Sequence, residues 1–109
     1  MEDQDVIRAL AALAQVHRLR LFRALVVAGP EGQTPGMLAG LLEIPANTLS
    51  FHLKELVNAG LVTQERASRN LIYRAAYGRM NALLGYLTEN CCQGASCAVP
   101  APSSSTSCC

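Results

Sequence analysis

The sequence predicts a mainly α-helical domain interrupted once by a small β-hairpin, in the order α-α-α-α-β-β-α. Two observations carry this. Apolar residues recur at helical spacing through most of the chain, as at Leu49, Leu53, Leu56 and Val57. The repeat then shortens to about 2 residues over 61–66 and 70–75, on either side of Ala67, Ser68 and Arg69, which marks two strands and a turn.

The first helix is expected over residues 3–14, with Val6, Leu10 and Leu13 on one stripe, Ile7 beside them, and Asp3 and Asp5 at its positive end. Gln15, Val16 and His17 interrupt the pattern. A second helix over 18–29 turns Leu19, Phe22, Leu25 and Val26 inward and Arg18, Arg20 and Arg23 largely outward, and Gly29-Pro30 ends it. His17 reads as a junction residue at its start. Residues 31–33 form a short turn or edge strand. Thr34 as cap and Pro35 at the first helical position open a third helix that should bury Met37, Leu38, Leu41 and Leu42.

A three-residue turn, Glu43 to Pro45, leads into the fourth helix, which Ala59-Gly60 stops. Two short helices joined by a tight turn make a helix-turn-helix. Directly after it, the hairpin carries an arginine on each side of its tip and forms a wing. The last helix, over 76–89, sets Met80, Leu83, Leu84 and Leu87 on one stripe with Tyr77 and Tyr86 beside it. The predicted architecture is a winged helix-turn-helix.

Composition narrows the function. At 109 residues the chain is one domain at most. No apolar run reaches a membrane span, and the acidic N-terminus lacks the form of a signal peptide, so a cytoplasmic protein without membrane contact is expected. Net charge is only +1, but between His17 and Arg79 eight basic residues face four acidic ones, a balance that suits a nucleic-acid face. The histidines lack a neighbouring nucleophile or carboxylate constellation, which argues against an enzyme or an organic cofactor. All five cysteines (91, 92, 97, 108 and 109) lie in the last nineteen residues. Clustering of this kind is foreign to a secreted disulfide framework and fits soft-metal binding or redox chemistry.

The fourth helix is unusual off its apolar face. Short hydrogen-bonding residues dominate, with few Glu–Lys pairs, which suits entry into a DNA major groove. With Leu49 inward, Asn47, Phe51, Lys54 and Asn58 point outward and Thr48 and Ser50 lie on the flanks. Asn47, Thr48 and Ser50 are expected to read base edges or phosphates, and Lys54 to bind a phosphate. Phe51 either meets a thymine methyl or packs on a neighbouring helix. His52, at the buried edge, either contacts DNA or makes a structural hydrogen bond. Arg66 and Arg69 are expected to hold the phosphate backbone or enter the minor groove, the alternative being a solvated tip.

These residues resemble a known family. Leu49-Ser50-Phe51-His52-Leu53-Lys54, then Ala59-Gly60-Leu61-Val62, Arg66 and Tyr73-Arg74, look like the ArsR-type (arsenical resistance operon repressor) metalloregulatory proteins. The similarity runs from about Val6 to Cys97. It implies a homodimer joined through first and last helices, bound to an operator of double-stranded DNA with an inverted repeat until a metal or metalloid releases it. Two departures stand out. The third helix has no cysteine pair, and no histidine follows His52, so neither familiar sensing site can form. What remains resembles the branch whose arsenite site lies just beyond the last helix, and Cys91, Cys92 and Cys97 match it. At the wing tip, Ser68 stands where the family often has glycine.

The expected organisation is a DNA-binding and dimerisation domain over 1–90, a cysteine segment over 91–97 and a low-complexity, disordered tail over 98–109. The reading is a transcriptional repressor whose inducer is As(III), with Sb(III) as a second candidate. Three thiolates suit a soft, three-coordinate centre. Adjacent cysteines splay apart if both stay helical, so the chain must unwind near Asn90, while Gly94 permits the turn that brings Cys97 back. A thiol-redox or zinc/cadmium-responsive repressor of the same fold, and inert thiols, are the alternatives.

Overall fold

The first three α-helices each begin at a specific capping arrangement, and those caps fix where the chain turns. A computed structural model describes residues 1–90. Helix α1 (Asp3–Leu13) opens where the Asp5 carboxylate accepts the Glu2 backbone N–H. After Ala14 the side chain of Gln15 accepts the Arg18 N–H at 3.0 Å and starts α2 (Val16–Ala28). The break is therefore two residues long, and Val16 and His17 belong to the second helix. Gly29–Glu31 follow as a single 3₁₀ turn. Thr34 then caps the Met37 N–H and Pro35 opens α3 (Pro35–Leu42). Glu43, at φ +55°, makes the left-handed turn into α4 (Ala46–Asn58).

Gly60 closes α4 at φ +80°, a conformation that glycine adopts without strain. The Leu61 N–H reaches back to the Leu56 carbonyl and turns the chain into the hairpin β1 (Val62–Ala67) and β2 (Asn70–Ala75). The strands pair antiparallel with Val62 opposite Ala75 and Ala67 opposite Asn70, leaving a two-residue tip. Ser68 in that tip holds φ +61°. Helix α5 (Tyr77–Leu87) completes the element order.

The other side of β2 is also paired. Gln33 and Tyr73 exchange two backbone hydrogen bonds of 2.9 and 2.8 Å, so residue 33 acts as a one-residue edge strand. Gly32 makes this approach possible, because a Cβ there would lie 2.6 Å from the Tyr73 carbonyl oxygen. Arg74 strengthens the same corner by donating to the Pro30 carbonyl and to Glu65, both at 2.7 Å.

The core forms where α2 and α4 cross, beneath the hairpin. Leu21, Leu25, Leu38, Leu49, Leu53, Leu56, Leu61 and Val62 are its fully buried members. Several expected core positions lie elsewhere. On α1 the buried stripe is Val6, Ala9 and Ala12, with Ile7 and Leu10 on the surface, since small alanines permit the closest helix approach. Leu21 replaces Leu19 on α2. Met37 and Leu41 are exposed because α3 is short and only its Leu38 face meets the core. Leu84 and Leu87 are likewise exposed, leaving Leu83 as the buried residue of α5.

Candidate nucleic-acid interface

The α3–turn–α4 unit presents one polar face. Leu49, His52, Leu53 and Leu56 anchor α4 in the core, and that anchoring turns Asn47, Ser50, Phe51, Lys54 and Asn58 to the solvent. Thr48 is half-buried at the flank. Asn47 Oδ1 accepts the Thr48 N–H at 2.9 Å, while Pro45 supplies no side-chain cap. Donors in the first turn are thus left for an outside acceptor such as a phosphate oxygen. Lys54, Arg66 and Arg69 are exposed and form no ion pair among the described residues. Arg74 and Arg79 differ, being engaged by Glu65 at 2.7 Å and Asp5 at 3.7 Å. On the α4 and hairpin side, the cations offered to a polyanion are therefore Lys54, Arg66 and Arg69.

Phe51 is 54% exposed, with its ring edge-on to His52 at 5.5 Å between centroids. It combines a packing contact within α4 with a free apolar face. Of the two roles the sequence leaves open for His52, burial removes it from the DNA-contacting set and favours the structural one: it is 6% exposed and faces inward. Its ring lies 5.6 Å from that of His17, and Arg18 Nη1 approaches Nδ1 at 3.5 Å. Because a guanidinium can only donate, a hydrogen bond here is made by the neutral ring with Nδ1 as the acceptor. Burial lowers the His52 pKa below its ordinary value, and the Arg18 charge lowers it further. His52 therefore supports the reading helix from behind.

Arg18 is the residue that sequence reasoning missed. It was placed on an outward face, yet its Nε donates to the Ala12 carbonyl at 2.7 Å while Nη1 turns toward His52. One side chain thereby joins the end of α1 to the middle of α4. Helical periodicity carries no signal for a contact across 34 positions.

Cys91, Cys92 and Cys97, with the 91–97 and 98–109 segments, lie outside the described residues. Among the described residues, no group of three or more His, Cys, Asp or Glu side chains is arranged to hold a metal. The approach to the cysteines is visible. Helix α5 ends at Leu87, Thr88 Oγ1 donates back to the Leu84 carbonyl, and Asn90 takes φ +59°. The helix has ended before Cys91 is reached.

With this geometry in place, comparison with known proteins adds the family. A helix-turn-helix domain family matches residues 13–65. The structure resembles an ArsR-like transcriptional regulator from Rhodococcus sp. RHA1, with a TM-score of 0.73 and 24% identity over 84% of this chain and 83% of that one. It also resembles a possible transcriptional regulator for arsenical resistance, with a TM-score of 0.60 and 30% identity over 73% of this chain and 83% of the other. The chain belongs to the ArsR-like family of winged helix-turn-helix regulators. The family's fold recurs in a homodimeric winged helix-turn-helix DNA-binding domain from Mycobacterium bovis, with a TM-score of 0.64 and 22% identity over 91% of this chain and 97% of that one. No curated protein matches the chain. Membership makes this a DNA-binding transcriptional regulator, and no described helix is long and apolar enough to cross a membrane.

Proposed function

We propose that the chain is a homodimeric repressor that binds an inverted-repeat operator and releases it when As(III), or Sb(III), ties Cys91, Cys92 and Cys97 together. The observation that carries this reading is the position of the thiols. The pair Cys91-Cys92 begins four residues beyond the last residue of α5, after Asn90 has already left helical conformation. Three thiolates suit a soft, three-coordinate cationic centre. The resemblance to a possible arsenical-resistance regulator supports the same direction.

Dimerisation through α1 and α5 is supported by what those helices leave uncovered. Ile7 is 64%, Leu84 53% and Leu87 55% exposed, with Leu10 alongside. Tyr86 donates to Asp3, and Arg79 approaches Asp5, so side chains link the two helices and their free apolar faces can share one interface. Under this reading Asn47, Thr48, Ser50, Phe51 and Lys54 meet the major groove, while Arg66 and Arg69 hold the backbone. The cysteine segment continues the dimer-forming helix, so a change there alters the spacing of two reading heads. A coupling of about 1–3 kcal/mol would weaken DNA binding about 5–150-fold.

The test is fluorescence anisotropy on a labelled duplex that the protein itself has selected from a random pool. Arsenite should release the wild-type protein and leave Cys91→Ser bound. If arsenite leaves the wild-type complex intact, the sensing assignment fails. Release by peroxide alone would transfer it to thiol oxidation, and release by zinc or cadmium alone to a divalent-metal sensor.

A further inference from the structure

Away from the α4 face and the hairpin, α2 and α3 frame an open cleft of about 420 Å³. Its apolar surface is unusually bare. Val27, in the last turn of α2, is 86% exposed, and Leu41 on α3 is 65% exposed, with Leu42 half-buried beside it. Arg20 and Arg23 line the same cleft, two turns and one turn before Val27 on one face of α2. Both arginines are exposed and form no ion pair among the described residues. The cleft thus sets exposed apolar side chains beside two guanidinium groups that have no ion-pair partner among the described residues.

The geometry points to a docking surface on α2 and α3 for an acidic amphipathic helix of a partner protein. Charge complementarity selects this occupant. The floor takes apolar side chains at helical spacing, while two guanidinium groups on one side favour carboxylates and disfavour lysines. An open cleft would leave much of a small molecule in water, whereas a helix laid along α2 covers Val27 and Leu41 together. The surface uses none of the residues assigned above to DNA, dimerisation or metalloid. It therefore stands independently of the arsenite reading.

Two short synthetic helical peptides test it against the ¹⁵N-labelled full chain. Both carry leucines at i, i+3, i+4 and i+7, one with flanking glutamates and the other with flanking lysines. The glutamate peptide should shift amides in α2 and α3, while the lysine peptide should not. Charge reversal by Arg20→Glu with Arg23→Glu should weaken the glutamate peptide about tenfold or more and admit the lysine peptide. Val27→Ser with Leu41→Ser should abolish binding while leaving the circular dichroism unchanged. The proposal is overturned if neither peptide shifts these amides by about 1 mM, a range that includes weak transient contacts. It is also overturned if both wild-type titrations agree, or if the shifts fall on α1 and α5. A loss of operator affinity in the charge-reversed protein would assign the arginines to DNA instead and equally sink the docking surface. The wild-type comparison decides the matter even if a variant fails to fold.

Discussion

Arg18 stands behind His52: its guanidinium approaches Nδ1 of that ring at 3.5 Å while its Nε holds the last turn of α1 through the Ala12 carbonyl. The reading helix is thus braced by a cation against a neutral imidazole. Such an arrangement depends on the imidazole staying neutral, and the consequence is a dependence on acidity.

His52 has a folded-state pKa below its ordinary value of 6.5, through burial first and the Arg18 charge second. The unfolded chain binds a proton at this ring more readily than the folded one. Stability from His52 is therefore fully present above the unfolded pKa and is lost as pH falls below it, levelling once the folded ring also protonates. Urea midpoints measured from pH 7.5 to about 5 should decline over that window. A His52→Gln protein should show a shallower decline. Equal slopes in both would refute the assignment.

Removing the brace should cost stability without touching any proposed DNA contact. Arg18→Met keeps much of the aliphatic stem but leaves the Ala12 carbonyl without its charged donor. A loss of about 1–3 kcal/mol is expected by chemical denaturation. Where the variant remains folded, the salt dependence of its operator binding should match wild type, because Arg18 is not among the residues proposed to bind phosphate.

At the wing tip, Ser68 occupies a left-handed conformation at φ +61°. A β-carbon there is strained by about 1–2 kcal/mol, partly offset in glycine by its greater unfolded-state entropy. Ser68→Gly should raise stability by about 0.5–1 kcal/mol, and Ser68→Val should lower it by a comparable amount. Thermal melts of the two variants decide the sign.

Arg66 and Arg69 are the hairpin's unpaired cations among the described residues. If each neutralises one phosphate, Arg66→Ala and Arg69→Ala should each reduce the slope of log K against log salt by about 0.9. The melting temperature should hardly change. An unchanged slope would leave the tip as a solvated turn.

The helix-turn-helix and the hairpin were legible because each is written in local pattern. Leu49, Leu53 and Leu56 announce α4, Thr34-Pro35 announces α3, and Gly60 announces the stop. The faces of the outer helices were less so. Periodicity identifies Leu10, Leu84 and Leu87 as apolar, but it cannot tell whether such a face meets its own core or stays open. Alanines at 9 and 12 occupy the closest contacts in α1, and they carry little hydrophobic weight in a sequence pattern. The polar face of α4 followed directly from its apolar one. His52 was legible as a buried-edge residue, but its partners Arg18 and His17 were not, because they come from a distant helix.

The backbone pairing of Gln33 with Tyr73 has a consequence for how the protein measures DNA. It ties the wing's second strand to the residue just before the Thr34 cap, so hairpin and helix-turn-helix are riveted at both ends. The gap between the α4 face and the arginines at the tip is then set within one chain, as by a calliper. Under the proposed mechanism, a signal arriving beyond α5 leaves that calliper unchanged within each chain. It alters only how far apart two such callipers stand.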